Sequence, residues 1–395
     1  MLHKNILLVV ALVALACSGC SDSESDSAPT VDNAAVVSTY SQIAYESYNQ
    51  ALIAAEAMDS AIRTFVGAPS FETMNAAKEA WLAARVPYLQ TEVFRFYNGP
   101  IDNEETGPEG LLNAWPMDEA YVDYTVDTPN GGLINNTGIE LTAANLESLN
   151  EAADERGGEA EVNIATGFHA IEFLLWGQDE AGNETPGTRP YTDFVEGADG
   201  TAANQDRRKL YLTTVSSMLL GHLRVVKDAW AAGDANNYRA AFEAAEPTDS
   251  IKKIMTGLSL LSGFETGGER LQTALDTGNQ EDEHSCFSDN THVDMIEDIR
   301  GIQNVYEGTY GAISGPSIRD FVATRDQALA SSIGDQIDSA LAASLQLPVP
   351  FDNGVALGNA EGRAKIADLV TKLLDTQKLI EDAFRAFGFD VPVAE

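Results

Sequence analysis

Apolar residues recur every three or four positions through most of the chain, which is the period of an amphipathic helix. A long apolar face runs over residues 40–65 and ends at Gly67 and Pro69, two residues that stop helices. Ser70 can cap a second helix, which we predict to run to about residue 97 with a kink at Pro87. The chain therefore begins its ordered part with two consecutive helices.

The same period continues towards the C-terminus, and the alternation typical of β-strands is not evident. We predict further helices over residues 141–154, 160–176, 206–232, 249–266, 290–310, 315–344 and 359–387. Residues 101–141 and 177–205 form long irregular stretches, and long loops inside compact domains are often functional. The length exceeds a single typical core. We predict an all-α protein of two helical bundles, residues 34–235 and 245–390.

The N-terminus has the features of an export signal. Lys4 precedes an apolar run over residues 6–16, which is shorter than the roughly 20 residues that span a bilayer. Residues 16–20 resemble a bacterial lipobox, so we predict a lipoprotein signal peptide over 1–19 and lipidation at Cys20, with Cys17 as a second candidate. A flexible acidic tether over residues 20–33 follows. The alternative is an ordinary cleaved signal with incidental cysteines.

Two expectations follow from this start. Ser21 after the lipidated cysteine resembles the pattern of Gram-negative proteins anchored to the outer membrane and facing the periplasm. The membrane is then a partner through the N-terminal lipid. Cys286 would be left without a cysteine partner, so we expect no internal disulfide.

The chain carries 61 acidic and 24 basic residues, for a formal net charge of -37. This balance argues against nucleic acid as a partner, because phosphate binding needs basic patches. An acidic surface attracts cations, but solubility is the simpler interpretation of the charge.

The most informative segment is residues 167–172, which read GxHxxE. His169 and Glu172 share one face of a helix that is apolar all round, so both side chains are predicted to be buried. A buried acid needs a partner, and a metal ion would satisfy the acid and the imidazole together. The alternative is a His–Glu hydrogen bond that ties the core together. Gly167, if inside the helix, costs about 1 kcal/mol relative to alanine and lets a backbone or ligand approach.

A second set of polar residues lies on the predicted second helix, in a stripe at positions 81, 85, 88, 92 and 96. Glu92 is a candidate third metal ligand, and Arg85 is a candidate orienting residue or anion clamp. The alternative is an internal Arg85–Glu92 salt bridge.

Residues 281–294 hold two of the five histidines and Cys286, but their spacing fits no zinc-finger pattern. Asp289 could cap the following helix, and Arg270 lies in a Gly-rich helix end with Glu265 and Glu269. The sequence contains no HExxH, GxSxG, phosphate-loop or dinucleotide motif.

These segments together resemble the imelysin-like family, in particular its iron-regulated protein A branch, which was formerly classed with the imelysin peptidases. GxHxxE is the first shared motif, and residues 91–102, 113–119 and 281–292 also look like that branch. The resemblance implies two similar four-helix bundles packed side by side with long irregular loops. It also implies a site at their interface and a link to iron uptake across the cell envelope.

We therefore expect a binding protein that holds a metal ion or a ferric ligand, with iron as the first candidate and zinc as the alternative. The predicted metal ligands are His169, Glu172 and Glu92. The predicted pocket or orienting residues are Gly167, Arg85, Tyr88, Asp289 and Arg270.

Two other functions stay open. The first is a zinc-dependent metallopeptidase, although such a site needs three protein ligands and a general base, and Glu172 cannot easily serve as both ligand and base. The second is a receptor-like partner of envelope iron-transport components, with a purely structural His–Glu pair.

Overall fold

The computed structural model describes residues 30–153, 159–179 and 185–394. The predicted signal peptide, both candidate lipidation sites and most of the acidic tether lie outside these described residues. Within the described ranges, none of the helices combines the length and the apolar character needed to cross a membrane.

Helices dominate the described part of the chain, as the apolar period predicts. They are α1 Asn33–Gly67, α2 Phe71–Leu89, α3 Glu109–Leu112, α4 Glu119–Val122, α5 Gly132–Asn135, α6 Ala143–Leu149, α7 Gly167–Trp176, α8 Gln205–Ala229, α9 Tyr238–Ala244, α10 Pro247–Ser259, α11 Thr273–Thr277, α12 Thr291–Glu307, α13 Ile318–Ala323, α14 Gln327–Ser344, α15 Phe351–Val355 and α16 Ala360–Phe387.

Shorter elements complete the regular structure. Turns of 3₁₀-helix span Glu92–Phe94, Ala160–Val162, Tyr191–Phe194, Gln280–Asp282 and Cys286–Ser288, and a π-helix spans Leu260–Gln272. Two short antiparallel strands, β1 Thr309–Tyr310 and β2 Ile313–Ser314, form a hairpin in which Thr309 faces Ser314. The sequence pattern did not predict this hairpin, because two-residue strands are too short to show alternation.

The long helices form two four-helix bundles, which confirms the predicted fold class. In the first bundle, α1 packs against α2 and α8, and α7 packs against α2 and α8. In the second bundle, α16 packs against α10, the π-helix and α14, and α12 packs against α14 and the π-helix. The exact domain boundaries at residues 235 and 245 stay a prediction.

The start of α2 follows the prediction, but its end does not. Ser70 and Thr73 form a capping box that begins the helix. The helix ends at Leu89 rather than near residue 97, with Pro87 in its last turn. The chain then tightens into a 3₁₀ turn, and Phe96 adopts a left-handed φ of 71°. Glu92 therefore does not lie on the same helix as Arg85.

Other predicted helices are shorter or interrupted. The helix predicted over 160–176 begins only at Gly167. The helix predicted over 249–266 continues as the π-helix, and the one predicted over 315–344 divides into α13 and α14 because Ser317 and Asp326 each cap a new helix.

The two bundles meet closely along α2 and α12. At Gly301 of α12 an added Cβ would lie 2.7 Å from the carbonyl oxygen of Gln90, so a larger residue would force the helices apart. Side chains also pair across this boundary, including Arg85 with Asp294 and Gln90 with Glu297. The interface is therefore tightly packed and carries buried charge.

Candidate functional site

The GxHxxE segment opens α7, a helix whose ten residues are all buried. Gly167 is the first residue of this helix, not an interior one as predicted, and its φ is +84°. An added Cβ at Gly167 would lie 2.6 Å from the Leu112 carbonyl oxygen. The expected close approach of another backbone is thus present, and both its φ and this contact favour glycine.

His169 and Glu172 form a fully buried pair inside the protein. Nδ1 of His169 lies 2.9 Å from Oε2 of Glu172. The other oxygen, Oε1, accepts hydrogen bonds from the backbone N–H of Ser288 at 3.0 Å and from its hydroxyl at 2.6 Å. Both oxygens of Glu172 are therefore engaged by protein groups, and the predicted His–Glu contact is present.

The second ring nitrogen of His169 lacks the hydrogen-bond partner that the first one has. Nε2 is buried and has no hydrogen-bond partner among the described residues. The His169 ring lies 4.8 Å from the Trp115 ring and 4.9 Å from the His284 ring, measured between centroids. A buried nitrogen in this state is costly unless a ligand or water meets it.

His284 repeats the arrangement from the second bundle. Its Nδ1 lies 2.7 Å from Oδ2 of Asp294, and the same carboxylate accepts hydrogen bonds from Arg85, Ser285 and Asn290. Two imidazoles, each with a carboxylate at Nδ1, thus lie edge to face across the interface. A carboxylate on one ring nitrogen is the usual companion of a histidine that binds metal through the other.

Burial and neighbouring charges set the protonation of these groups. Burial, together with His284 and Arg85, lowers the pKa of His169 well below its ordinary value, and burial followed by Arg270 lowers the pKa of His284 to about 4. Burial raises the pKa of Glu172 to about 8. Burial also acts to raise the pKa of Asp294, but Arg85 and His284 outweigh it and hold that pKa below its usual range. Both imidazoles are therefore neutral at pH 7, the form that binds metals.

Arg85 forms its salt bridge with Asp294 of the His284–Asp294 pair rather than with Glu92. Its guanidinium group donates a 3.0 Å hydrogen bond to Asp294 and another hydrogen bond to Asn113. It also lies over the ring of Tyr88, at 5.7 Å, and that ring packs 4.6 Å from Phe168. The predicted orienting role of Arg85 has a structural basis, whereas the alternative Arg85–Glu92 salt bridge is wrong.

Glu92 and Arg270 belong to a separate ionic cluster. Glu92 accepts hydrogen bonds from Arg270 at 2.6 Å and from Arg95 at 2.7 Å, and Arg270 also pairs with Asp298. Although burial raises the pKa of Glu92, these two guanidinium groups outweigh it and lower the pKa to about 2. The carboxylate is neutralised by arginine, because α2 ends before Glu92 and turns it away from the predicted stripe.

The three predicted metal ligands consequently do not converge. In the parts of the chain that the structure describes, the one group of three metal-ligating side chains whose ligand atoms lie within 4.8 Å of one another is Asp179, Asp289 and Asp352. Asp289, predicted to shape the His169 pocket, belongs to this group instead, and its left-handed φ of 56° follows the turn that carries Ser288.

Two cavities are lined by residues close to His169 and His284. The larger, about 510 Å³, is lined by His284, Asn113 and Arg270 among others, and the smaller, about 320 Å³, by Cys286 and Phe287 among others. Trp115 lines both cavities and also packs on the His169 ring. Trp115 is therefore the residue that links His169 to both cavities.

Five residues of the site were not among the predicted metal ligands or pocket residues. They are Asn113, Trp115, His284, Ser288 and Asp294. All five lie in residues 113–119, which carry part of the family resemblance, or in residues 281–294, which hold two of the five histidines. Their pairing with α2 and α7 depends on tertiary contacts that helical spacing does not reveal.

Comparison with known proteins supports this architecture. The chain is 24% identical over 350 residues to iron-regulated protein A of Synechococcus elongatus, covering 87% of this chain and 82% of that protein. A crystal structure of an iron-regulated protein A precursor from Parabacteroides distasonis matches with a TM-score of 0.68 at 21% identity, covering 91% of this chain and 97% of that one.

A second crystal structure, an imelysin-like protein from Psychrobacter arcticum, matches with a TM-score of 0.63 at 14% identity and covers 93% of this chain and 99% of that one. At these identities the structural likeness shows the fold alone. The family model described as imelysin (Peptidase_M75) matches residues 44–380, which is most of the sequence. The chain belongs to the imelysin family.

Proposed function

We propose that this protein is an envelope-anchored lipoprotein that takes part in iron uptake and binds a metal ion or a ferric ligand at the bundle interface. Nε2 of His169 is the central ligand atom in this proposal. The lipid on Cys20 would hold the protein at the membrane, and envelope iron-transport components would be its partners. The names of the Synechococcus and Parabacteroides relatives support the link to iron.

The observation that carries the proposal is the state of His169. Its side chain is fully buried, its Nδ1 faces a carboxylate, and its Nε2 has no hydrogen-bond partner within the described residues. His222 also has an Nε2 without a partner in that same part of the chain, but it is only half-buried, and no hydrogen bond from its ring to a carboxylate is seen. The contact between Nδ1 and Glu172 therefore distinguishes His169 from His222.

The geometry changes the role proposed for Glu172. Because one oxygen of Glu172 meets Nδ1 of His169 and the other accepts two hydrogen bonds from Ser288, the carboxylate orients the imidazole rather than binding metal itself. His284 is a second ligand candidate, since Asp294 holds its Nδ1 in the same way. Two imidazole nitrogens suit iron, zinc and other borderline metals.

The test is the metal content of the mature protein purified without chelators, measured by mass spectrometry, with calorimetric titration of Fe²⁺ and Zn²⁺. The site variant is His169→Gln, which keeps a polar side chain of similar size. The matched control is His222→Gln on α8. We expect metal in wild type and in the control, and at least a tenfold loss of affinity in His169→Gln.

Equal metal binding by the wild type and His169→Gln would overturn the proposal. So would a wild-type protein that takes up neither ion at millimolar concentration, and iron-dependent phenotypes without metal binding would then favour the receptor-like alternative.

The zinc-peptidase alternative receives less support from the geometry. A hydrolytic zinc site needs a general base to activate water, and both oxygens of Glu172 are engaged by His169 and Ser288. We expect the zinc-loaded protein to show no proteolysis that a chelator abolishes and zinc restores.

A further inference from the structure

A second group of acids includes Asp289, which directly follows Ser288 in the chain. Asp179 follows α7, Asp289 precedes α12, and Asp352 lies in α15. Each offers a carboxylate oxygen within 4.8 Å of the others, and the three residues expose only 4%, 9% and 8% of their surface. Asp179 accepts a hydrogen bond from Gln280 at 2.8 Å, and Asp352 accepts one from the backbone N–H of Asn353 at 2.7 Å.

Two further observations at this cluster point to a ligand. Oδ1 of Asp289 is buried and has no hydrogen-bond partner in the described ranges. Glu283 is completely buried, and neither of its carboxylate oxygens has a partner there either. Buried carboxylates without donors are costly, so a cation or protons must compensate this group.

The pKa values of two of these acids are raised by burial and by the neighbouring acids. Burial raises the pKa of Glu283 well above its ordinary value, and Asp352, Asp289 and Asp179 raise it further while Thr291 acts in the opposite direction. Burial, followed by Asp352, raises the pKa of Asp289 to about 7. Bringing these acids together without a cation therefore favours their protonated forms.

We propose that Asp179, Asp289 and Asp352, with Glu283 beside them, form a binding site for a hard divalent cation of the Ca²⁺ type. All four side chains offer carboxylate oxygens and none offers nitrogen or sulfur, which selects calcium over the softer transition metals. Calcium also tolerates irregular geometry better than magnesium does, which fits ligands drawn from separate segments. This site is distinct from His169 and does not rest on the metal role proposed there.

The cation would act on the neighbouring site through the backbone. Glu283 directly precedes His284, and Asp289 directly follows Ser288. Fixing both ends of residues 283–289 would hold the hydroxyl of Ser288 against Glu172 and the ring of His284 against Asp294. The expected role is to order one wall of the bundle interface.

The experiment is a calorimetric titration of the chelator-treated mature chain with Ca²⁺, repeated with Mg²⁺ and accompanied by thermal unfolding. The site variants are Asp289→Asn and Asp352→Asn. Asparagine tolerates the left-handed backbone of residue 289, so the first variant introduces no strain there. The matched control is Asp335→Asn, an exposed acid on α14.

We expect the wild type and Asp335→Asn to bind Ca²⁺ with a dissociation constant on the order of 10⁻⁴ M or tighter, and each site variant to bind at least tenfold more weakly. Ca²⁺ should raise the unfolding temperature of the wild type but not of the site variants. Without Ca²⁺, the site variants should be at least as stable as the wild type, because they carry less repulsion. Hydrogen exchange over residues 283–290 should slow on adding Ca²⁺ to the wild type and to Asp335→Asn, but not on adding it to the site variants.

Two results would overturn the proposal. One is the absence of binding heat and of any thermal shift in the wild type at millimolar Ca²⁺, which would leave protonation as the compensation. The other is an equal response in the site variants, which would assign binding to the general acidic surface. His169→Gln should bind Ca²⁺ like the wild type, so this experiment fails or succeeds separately from the iron or zinc titration.

Discussion

The two imidazole–carboxylate pairs at the interface look alike but differ in charge. In both, a buried carboxylate lies within hydrogen-bonding distance of Nδ1 of a histidine. Asp294 also pairs with the guanidinium group of Arg85, whereas the donors to Glu172 from the other bundle are the N–H and hydroxyl of Ser288. The pKa of Asp294 is accordingly lowered and that of Glu172 is raised to about 8.

Burial alone does not fix the charge of an acid. The guanidinium group of Arg85 and the contact with His284 together outweigh the desolvation of Asp294, while the neutral donors from Ser288 do not outweigh that of Glu172. The His284–Asp294 pair is therefore part of an ion pair. The His169–Glu172 pair is neutral and can gain charge when a cation arrives.

The largest effect should come from Asp294→Asn, which removes the negative partner of Arg85 and leaves its guanidinium group buried without a counter-charge. We expect a loss of about 3–5 kcal/mol in the free energy of unfolding, measured by denaturant titration at pH 7. Asp382→Asn, in an exposed pair with Arg385 on α16, is the control and should leave stability unchanged. A loss at Asp294 no larger than in the control would show that the two interface pairs do not differ in charge.

A smaller effect should follow from Gly167→Ala, which disturbs the His169–Glu172 pair and spares the other. The substitution combines a positive φ with a Cβ that would meet the Leu112 carbonyl oxygen at 2.6 Å. We expect a loss of at least about 2 kcal/mol in denaturant unfolding.

Gly221→Ala is the control for this change, because Gly221 is exposed on α8 and an added Cβ meets nothing within 4 Å. It should gain about 0.5–1 kcal/mol from the better helix propensity of alanine. Equal stability of the two variants would mean that the start of α7 tolerates a side chain.

The smallest effect on stability should come from Glu172→Gln. The pKa of about 8 makes Glu172 a neutral acid at pH 7, so a neutral amide of the same shape should cost less than about 1 kcal/mol. When a cation binds, the acid can release its proton and accept a hydrogen bond from Nδ1–H of His169, which leaves Nε2 free to bind the metal. The amide NH₂ of glutamine cannot do this and keeps donating to Nδ1, which holds the ring proton on Nε2. Metal affinity should then fall about 10–100-fold although the protein stays folded.

The same variant provides a pH test. The folded-state pKa of Glu172 lies above its unfolded value of about 4.3, so the native protein binds more protons and loses stability as the pH rises from about 4.3 to about 8. Glutamine lacks this titration. The stability of Glu172→Gln relative to the wild type should therefore increase from pH 5 to pH 8, and a constant difference would contradict the raised pKa.

The helical fold could be read from the sequence because its signals are local. The apolar face of α1, the capping box at Ser70 and Thr73, and the all-apolar surroundings of His169 each span a few neighbouring residues. Burial of His169 and Glu172 followed directly from that last pattern, as did their contact at three-residue spacing.

The partners in the site could not be read in this way. Arg85 lies 209 positions before Asp294, and Glu172 lies 116 positions before Ser288, so no helical period links them. Glu92 was assigned to the metal because the helical pattern was continued through Pro87. The helix instead ends at Leu89, and Glu92 forms a salt bridge with Arg270.

The contacts that cross from one bundle to the other also bear on how this protein can be divided. Arg85 and Asp294, and likewise Glu92 and Arg270, come from opposite halves of the chain and are hidden from water only while those halves are joined. A gene fragment encoding either half alone would expose one member of each pair and the apolar surface around it. Such fragments are poor starting points for expression, because only a chain that contains both bundles keeps each of these ions with its counterpart.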